Sequence, residues 1–153
     1  MSKEIILMLH PTFGVLAILA AVWIFVEVIN AGAHNQARIK TASMVLAALM
    51  WLTYLVGGYW YVAFYPADKS IIMVGPWPFA HTFFMELKEH LFFALLLIST
   101  YLPIAASSNQ ILVNQGARNL LLMLSGLVVL LGLAMEGCGA IVGLGVKMGL
   151  LGG

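Results

Sequence analysis

Residues 5–31 read IILMLHPTFGVLAILAAVWIFVEVINA, a long apolar run that decides the fold of this chain. A helix needs about 20 predominantly apolar residues to cross the hydrocarbon core of a membrane. The run follows a charged start and has no small-residue cleavage site, so it is predicted to be an uncleaved first span rather than a signal peptide. Three further apolar stretches follow, at about residues 42–64, 79–106 and 119–146. The pattern predicts an all-α fold, an integral membrane four-helix bundle that forms a single transmembrane domain over residues 1–153.

The composition supports this prediction, because the chain has too few charged residues to coat a water-soluble globule. Of its 153 residues, 63% are hydrophobic and 8% are charged, whereas about 25% are charged in a typical soluble domain. We therefore expect a lipid bilayer to cover most of the surface. A net charge of +1 argues against a nucleic-acid partner. Cys138 is the only cysteine, which excludes an internal disulfide and an iron–sulfur cluster held by four thiolates.

Four spans place both chain termini on one side of the membrane, which we name side A. At a rise of about 1.5 Å per helical residue, His10, His90 and Glu136 are expected at a similar depth near side A. Glu86 precedes His90 by four residues and is expected on the same helix face. Ionisable side chains at membrane depth usually face the bundle interior, so these residues are candidates for function.

Two chemistries suit these four residues. The first is a haem b held between His10 and His90, because ligation by two imidazoles needs one histidine from each of two facing helices at equal depth. The second is a non-haem metal site of His10, Glu86, His90 and Glu136, whose mixed carboxylate and imidazole ligands suit iron, manganese or zinc. Two simpler interpretations stay open. Each histidine can make a hydrogen bond between helices, and the charges of residues 85–90 can lie at the lipid head groups.

Prolines, glycines and aromatic residues indicate where the spans end and what they contact. Pro11 is expected in the first turn of span one, Pro103 near the end of span three, and residues 66–81 in a re-entrant or interfacial loop. The aromatic end of span two is expected at the membrane interface, where a quinone head group could also stack. Small-x-x-x-small spacing in the last span predicts helix contacts, either inside the bundle or with other membrane subunits or a second copy in a homo-oligomer. The glycines with this spacing are Gly139, Gly143, Gly145 and Gly149.

Three stretches carry a resemblance to known proteins: HPTFGVLAILAAVW (residues 10–23), AHNQARIKTASM (33–44) and FMELKEHLFFALL (84–96). In layout the chain resembles small bacterial four-helix membrane proteins and, more loosely, membrane b-type cytochromes. The resemblance implies a multi-pass protein of the bacterial inner (cytoplasmic) membrane that binds haem b through His10 and His90. It also implies electron transfer between quinol and a partner. The alternatives are a structural or assembly subunit of a larger membrane complex and a non-haem metal-binding membrane protein.

Overall fold

A computed structural model of the protein describes residues 3–108 and 110–152. All regular elements in these ranges are helices, which confirms the predicted all-α class. They are α1 (Lys3–Ile29), α2 (Gln36–Ala63), α3 (Tyr65–Val74), a π-helix (Ala80–Met85), α4 (Glu86–Ser107), α5 (Gln110–Val113) and α6 (Gln115–Leu151). By length and composition, four helical segments could cross a membrane: Lys3–Ile29, Gln36–Ala63, Ala80–Ser107 and Gln115–Leu151. They correspond to the four predicted spans, and each extends beyond its predicted range at one or both ends.

The four long helices form a closed ring in which each helix packs against two neighbours. α1 packs against α2 and α6, and α4 packs against the same two helices. Lys3 and Gly149 both contact α3: Lys3 Nζ lies 2.8 Å from Asp68 Oδ1, and Gly149 lies against the backbone of Ile71. The start of α1 and the end of α6 therefore lie at the same end of the bundle. We name it end A, which corresponds to the predicted side A, and the opposite end is end B.

The inward-facing positions of the third long segment recur at alternating intervals of three and four residues. An average spacing of 3.5 residues keeps one stripe of a helix against its neighbours, as in other four-helix bundles. On the other three helices, many inward positions carry small side chains, which allow close approach. The inward positions of the third segment are Met85, Lys88, Phe92, Leu95, Ser99, Leu102 and Ala106, and the small buried residues elsewhere include Ala17, Ala21, Ser43, Ser125 and Gly132.

Pro11 lies inside α1 rather than in its first turn, so that prediction was wrong, whereas Pro103 lies in the last turn of α4, near the end as predicted. α1 begins at Lys3, which places Pro11 beyond its first two turns. Pro103 is followed by further helix up to Ser107. A proline removes only one backbone N–H from a helix. The packing of α1 and α4 against two neighbours each maintains the helix on both sides of the break.

Residues 66–81 are mostly helical, which corrects the predicted loop. α3 and the start of the π-helix occupy most of this range. α3 packs against the last turns of α6, where Gly145 lies against Ala80 and Ile72. Because these turns bury apolar surface, α6 continues to Leu151 instead of ending near residue 146 as predicted.

The side chain of Tyr65, the first residue of α3, contacts the π-helix in the interior of end A. Its side chain is 2% exposed, and its hydroxyl is hydrogen-bonded to Nδ1 of His81 at 2.9 Å. Burial raises the pKa of the Tyr65 phenol. This hydrogen bond therefore gives both side chains a polar partner within a contact that is otherwise apolar.

A hydrogen-bonded cluster around Glu27 closes end B. Arg38 Nε donates to Glu27 Oε1 at 2.8 Å, and the Asn35 amide donates to the Glu27 carboxylate at 2.8 Å and to its backbone carbonyl at 2.9 Å. Asn35 is 2% exposed, so the turn between α1 and α2 is held from within. His34 in this turn is exposed.

Candidate functional site

Four titratable side chains meet at one level of the bundle, closer to end A than to end B. They are His10 on α1, Lys88 on α4, and Glu136 and Cys138 on α6, and we name this set the polar layer. Three of them interact electrostatically with Lys88. The contacts described below place all four within about one helical turn, or 5 Å, of one another along the bundle axis.

His10 points from α1 into the contact with α2. Its Nδ1 donates a hydrogen bond of 3.0 Å to the backbone carbonyl of Thr53. A carbonyl oxygen can only accept, so Nδ1 carries the hydrogen and Nε2 of the neutral ring keeps its lone pair. The imidazole lies directly on Gly57, where the first carbon of any side chain would overlap it. The absence of a side chain at Gly57 therefore makes the space for the ring.

Glu136 crosses in the same way from α6 to α1. Its carboxylate lies on Gly14, one helical turn after His10, and a side chain at that glycine would overlap the carboxylate oxygen. Glycine at this position lets a charged group enter the contact between two helices. The carboxylate thereby lies about one helical turn along α1 from His10.

Lys88 supplies the cation of the polar layer. It occupies an inward-facing position of α4, and its Nζ would lie 3.0 Å from a carbon attached to Gly139 of α6. The ammonium interacts electrostatically with Glu136, Cys138 and His10. The two salt bridges that the structure describes lie elsewhere, at Lys3–Asp68 and Arg38–Glu27. Lys88 is therefore set among several titratable groups rather than joined to one of them.

The polar layer divides the apolar interior into two parts. The cluster at end A includes Tyr65, Met85 and Val142, and the larger cluster extends from Met135 of α6 towards end B. Glu136 and Cys138 follow Met135 directly in the chain. The interruption of the core coincides with the titratable groups.

Glu86 and His90 do not join His10 and Glu136. Both are exposed on the outer face of α4, and His90 Nδ1 donates to the backbone carbonyl of Glu86 at 2.7 Å. His90 follows Lys88 by two residues, a rotation of about 200° around the helix. Because Lys88 faces inward, His90 faces outward. The structure thus brings together two of the four residues singled out in the sequence and separates the other two from them.

This arrangement bears on both predicted cofactors. Among residues 3–108 and 110–152, no group of three or more His, Cys, Asp or Glu side chains could hold a metal ion. A porphyrin between His10 and His90 of one chain would require α4 to rotate and Lys88 to leave the interior. Haem b, and iron, manganese or zinc at the four-residue site, stay predictions.

Lys88 is the functional candidate that the sequence interpretation missed. The four-residue spacing of Glu86 and His90 predicted that their shared face is the inner face of this helix. The sequence alone carries no clear signal for Lys88, because residues 91–98 are apolar at every position; the three-and-four pattern is recognised once Leu95, Ser99 and Leu102 are known to face inward. Extending that pattern backwards reaches Lys88 and excludes His90.

Comparisons with protein-family models, curated proteins and solved structures gave no significant match.

Proposed function

We propose that the protein spans a membrane through its four long helices and that the polar layer is a membrane-embedded proton-exchange site. The observation that carries the proposal is the inward position of Lys88, with His10 and Glu136 reaching the same level from two other helices. Ionisable groups inside membrane helices are costly and are found mainly at proton or substrate sites.

The outer surface supports insertion into lipid. Large apolar side chains that are more than half exposed occur on each long helix, among them Leu19, Leu55, Leu97 and Leu130. Water-soluble monomers rarely expose such contiguous apolar surface. A bilayer solvates it without cost and also accounts for the low charge content.

The chemistry of the layer is that of an acid–base group with alternative proton positions. If the N–H bond of the Lys88 ammonium breaks and an O–H bond forms on Glu136, two charged groups become a neutral amine and a carboxylic acid. In a medium of low dielectric the ionic and neutral forms differ less in free energy than in water, because each charge loses solvation there. Nε2 of His10 offers a third position for the proton.

Infrared spectroscopy tests the proposal on the purified protein in lipid nanodiscs. A protonated carboxyl group in the membrane absorbs separately from a carboxylate, so a pH titration should show a carbonyl band that Glu136→Gln removes. The matched control is Glu86→Gln, which changes an exposed carboxyl two residues from Lys88 and should leave the band unaltered. Lys88→Met should change the pH at which the band appears. A band that is absent at every pH, or that ignores Lys88→Met, contradicts the proposal.

Electron transfer through haem b is a second candidate, favoured by the orientation of His90. Its Nδ1–H is directed to the Glu86 carbonyl, a contact that usually fixes the ring of a metal-ligating histidine and leaves Nε2 as the ligand. Since Nε2 then points outward, the opposite ligand would come from another chain. An α-band in the reduced-minus-oxidised absorption spectrum supports this candidate if His90→Ala removes the band and His34→Ala retains it. The absence of an α-band from the spectrum of the purified protein refutes it.

A further inference from the structure

We infer that the polar layer exchanges protons with the aqueous phase at end A only, and that the end-B half of the bundle is a barrier to protons. This inference rests on the proposed function and specifies which side supplies the proton. It makes the polar layer a proton-binding site open to one side rather than part of a transmembrane proton path.

The path to end A is short and is accompanied by titratable groups. His10 lies seven residues after Lys3, or about 10 Å along α1. Glu86 and Glu89 are exposed on the same turns of α4 as Lys88, and Glu89 accepts a hydrogen bond of 2.7 Å from the Tyr61 hydroxyl. Beyond the layer, end A also holds Asp68, paired with Lys3, and the Tyr65–His81 pair.

The titratable groups near Lys88 come from four helices, and α2, which packs against α4, contributes Tyr61, whose hydroxyl donates to Glu89. α1 contributes His10 and α6 contributes Glu136 and Cys138. α4 itself carries Glu86, Glu89 and His90, all on its exposed side. Glu86 lies towards end A from Lys88, whereas Glu89 and His90 follow it by one and two residues, or up to about 3 Å towards end B, so all three stay within one helical turn of Lys88.

The path to end B is long and lacks proton carriers. Residues 15–26, 41–60, 91–108 and 119–135 contain no Asp, Glu, Lys, Arg or His. From Gly14 to Val26, just before the Glu27 cluster, the apolar interior extends for about 18 Å. A proton crossing this distance would need a chain of hydroxyl groups or water, since isolated charge in such a medium is strongly disfavoured.

The buried hydroxyl groups in this half do not form such a chain. Ser43 donates to the carbonyl of Ile39 at 2.6 Å, and Ser125 donates to the carbonyl of Leu121 at 2.7 Å. Each bond stays within its own helix. Ser99 Oγ is buried and has no hydrogen-bond partner in the described part of the chain, so no protein group links it to Ser43 or Ser125.

The test uses the full chain in lipid vesicles of known protein orientation. Orientation is established with an impermeant maleimide on Lys69→Cys at end A and His34→Cys at end B, both exposed positions. The pH is then stepped on one side, and the Glu136 carbonyl band is followed for a time shorter than the passive proton leak. We expect the carbonyl band to change promptly after a pH step at end A and to stay unchanged after a pH step at end B. A pH dye inside the vesicles should report the same proton leak as in empty vesicles.

The outcomes separate the two proposals. A response to a step at end B, or a leak that rises with protein content, overturns the one-sided exchange while the proton-exchange site stands. A protonophore equilibrates both sides and serves as the control. If the band fails to respond even then, the proton-exchange site itself is refuted.

Discussion

Two adjacent glycines of α2 provide a matched test of how the polar layer is built. Gly57 lies under the His10 ring, and a side-chain carbon there would overlap two ring atoms and press closely on a third. Gly58, the next residue in the same helix, has no atom within 4 Å of the equivalent position. The substitutions Gly57→Ala and Gly58→Ala therefore add the same methyl group to the same helix in occupied and in open space.

The expected magnitudes follow from this difference. Replacing glycine by alanine inside a helix stabilises the fold by about 0.5–1 kcal/mol, and this gain is common to both variants. Forcing a methyl group into an occupied contact costs about 1–3 kcal/mol. We therefore expect Gly58→Ala to stabilise the protein and Gly57→Ala to be less stable than Gly58→Ala by about 1–3 kcal/mol. The His10–Thr53 hydrogen bond is lost if the ring moves.

Reversible unfolding by sodium dodecyl sulfate in mixed micelles measures both free energies of unfolding. The nitrogen chemical shifts of His10 give an independent readout, because displacement from the Thr53 carbonyl changes the environment of Nδ1–H. Equal stabilities of the two variants, together with unchanged His10 shifts in Gly57→Ala, would refute the placement of the ring on Gly57.

Three further predictions test other parts of the fold. In a double-mutant cycle, the effects of Lys88→Met and Glu136→Gln on the free energy of unfolding should differ from additivity by about 0.5–3 kcal/mol. The double variant should be more stable than the sum of the two single effects predicts. Gly149→Leu should strongly destabilise the protein, because Gly149 contacts the backbone of α3 and a leucine would displace that helix. Gly143 faces open space, so Gly143→Leu should fold normally. If the Gly143 face binds another chain, this variant should change the size of the protein particle in detergent. Because burial raises the pKa of the Tyr65 phenol, the stability that Tyr65 contributes to the fold is complete below about pH 10 and declines above that pH. The free energy of unfolding of the Tyr65→Phe variant should therefore decline less than that of the unchanged protein over this range.

Much of the site could be predicted from depth alone. Counting residues along helices placed His10, His90 and Glu136 at one level, and the structure has Glu136 one turn from His10. The pairing of Glu27 with Arg38 also follows from the sequence, since both lie beside one short turn. Depth depends only on the rise per residue and on where each apolar segment begins, so it is a local property of the chain.

Which way each side chain faces was decided by the tertiary structure. A helix that is apolar on all sides has almost no periodic signal that separates its inner from its outer face. On α4 the outward Phe93 and Leu97 are as hydrophobic as the inward Phe92 and Leu95.

Only the packing of α4 against α2 and α6 selects the face with Lys88 and turns His90 outward. The roles of Gly14, Gly57 and Gly139 depend in the same way on which polar side chain lies opposite each of them. The sequence by itself determined four apolar helices and the level of their ionisable groups. The contacts between helices decided which of those groups meet, because azimuth, unlike depth, is set by the neighbouring helices.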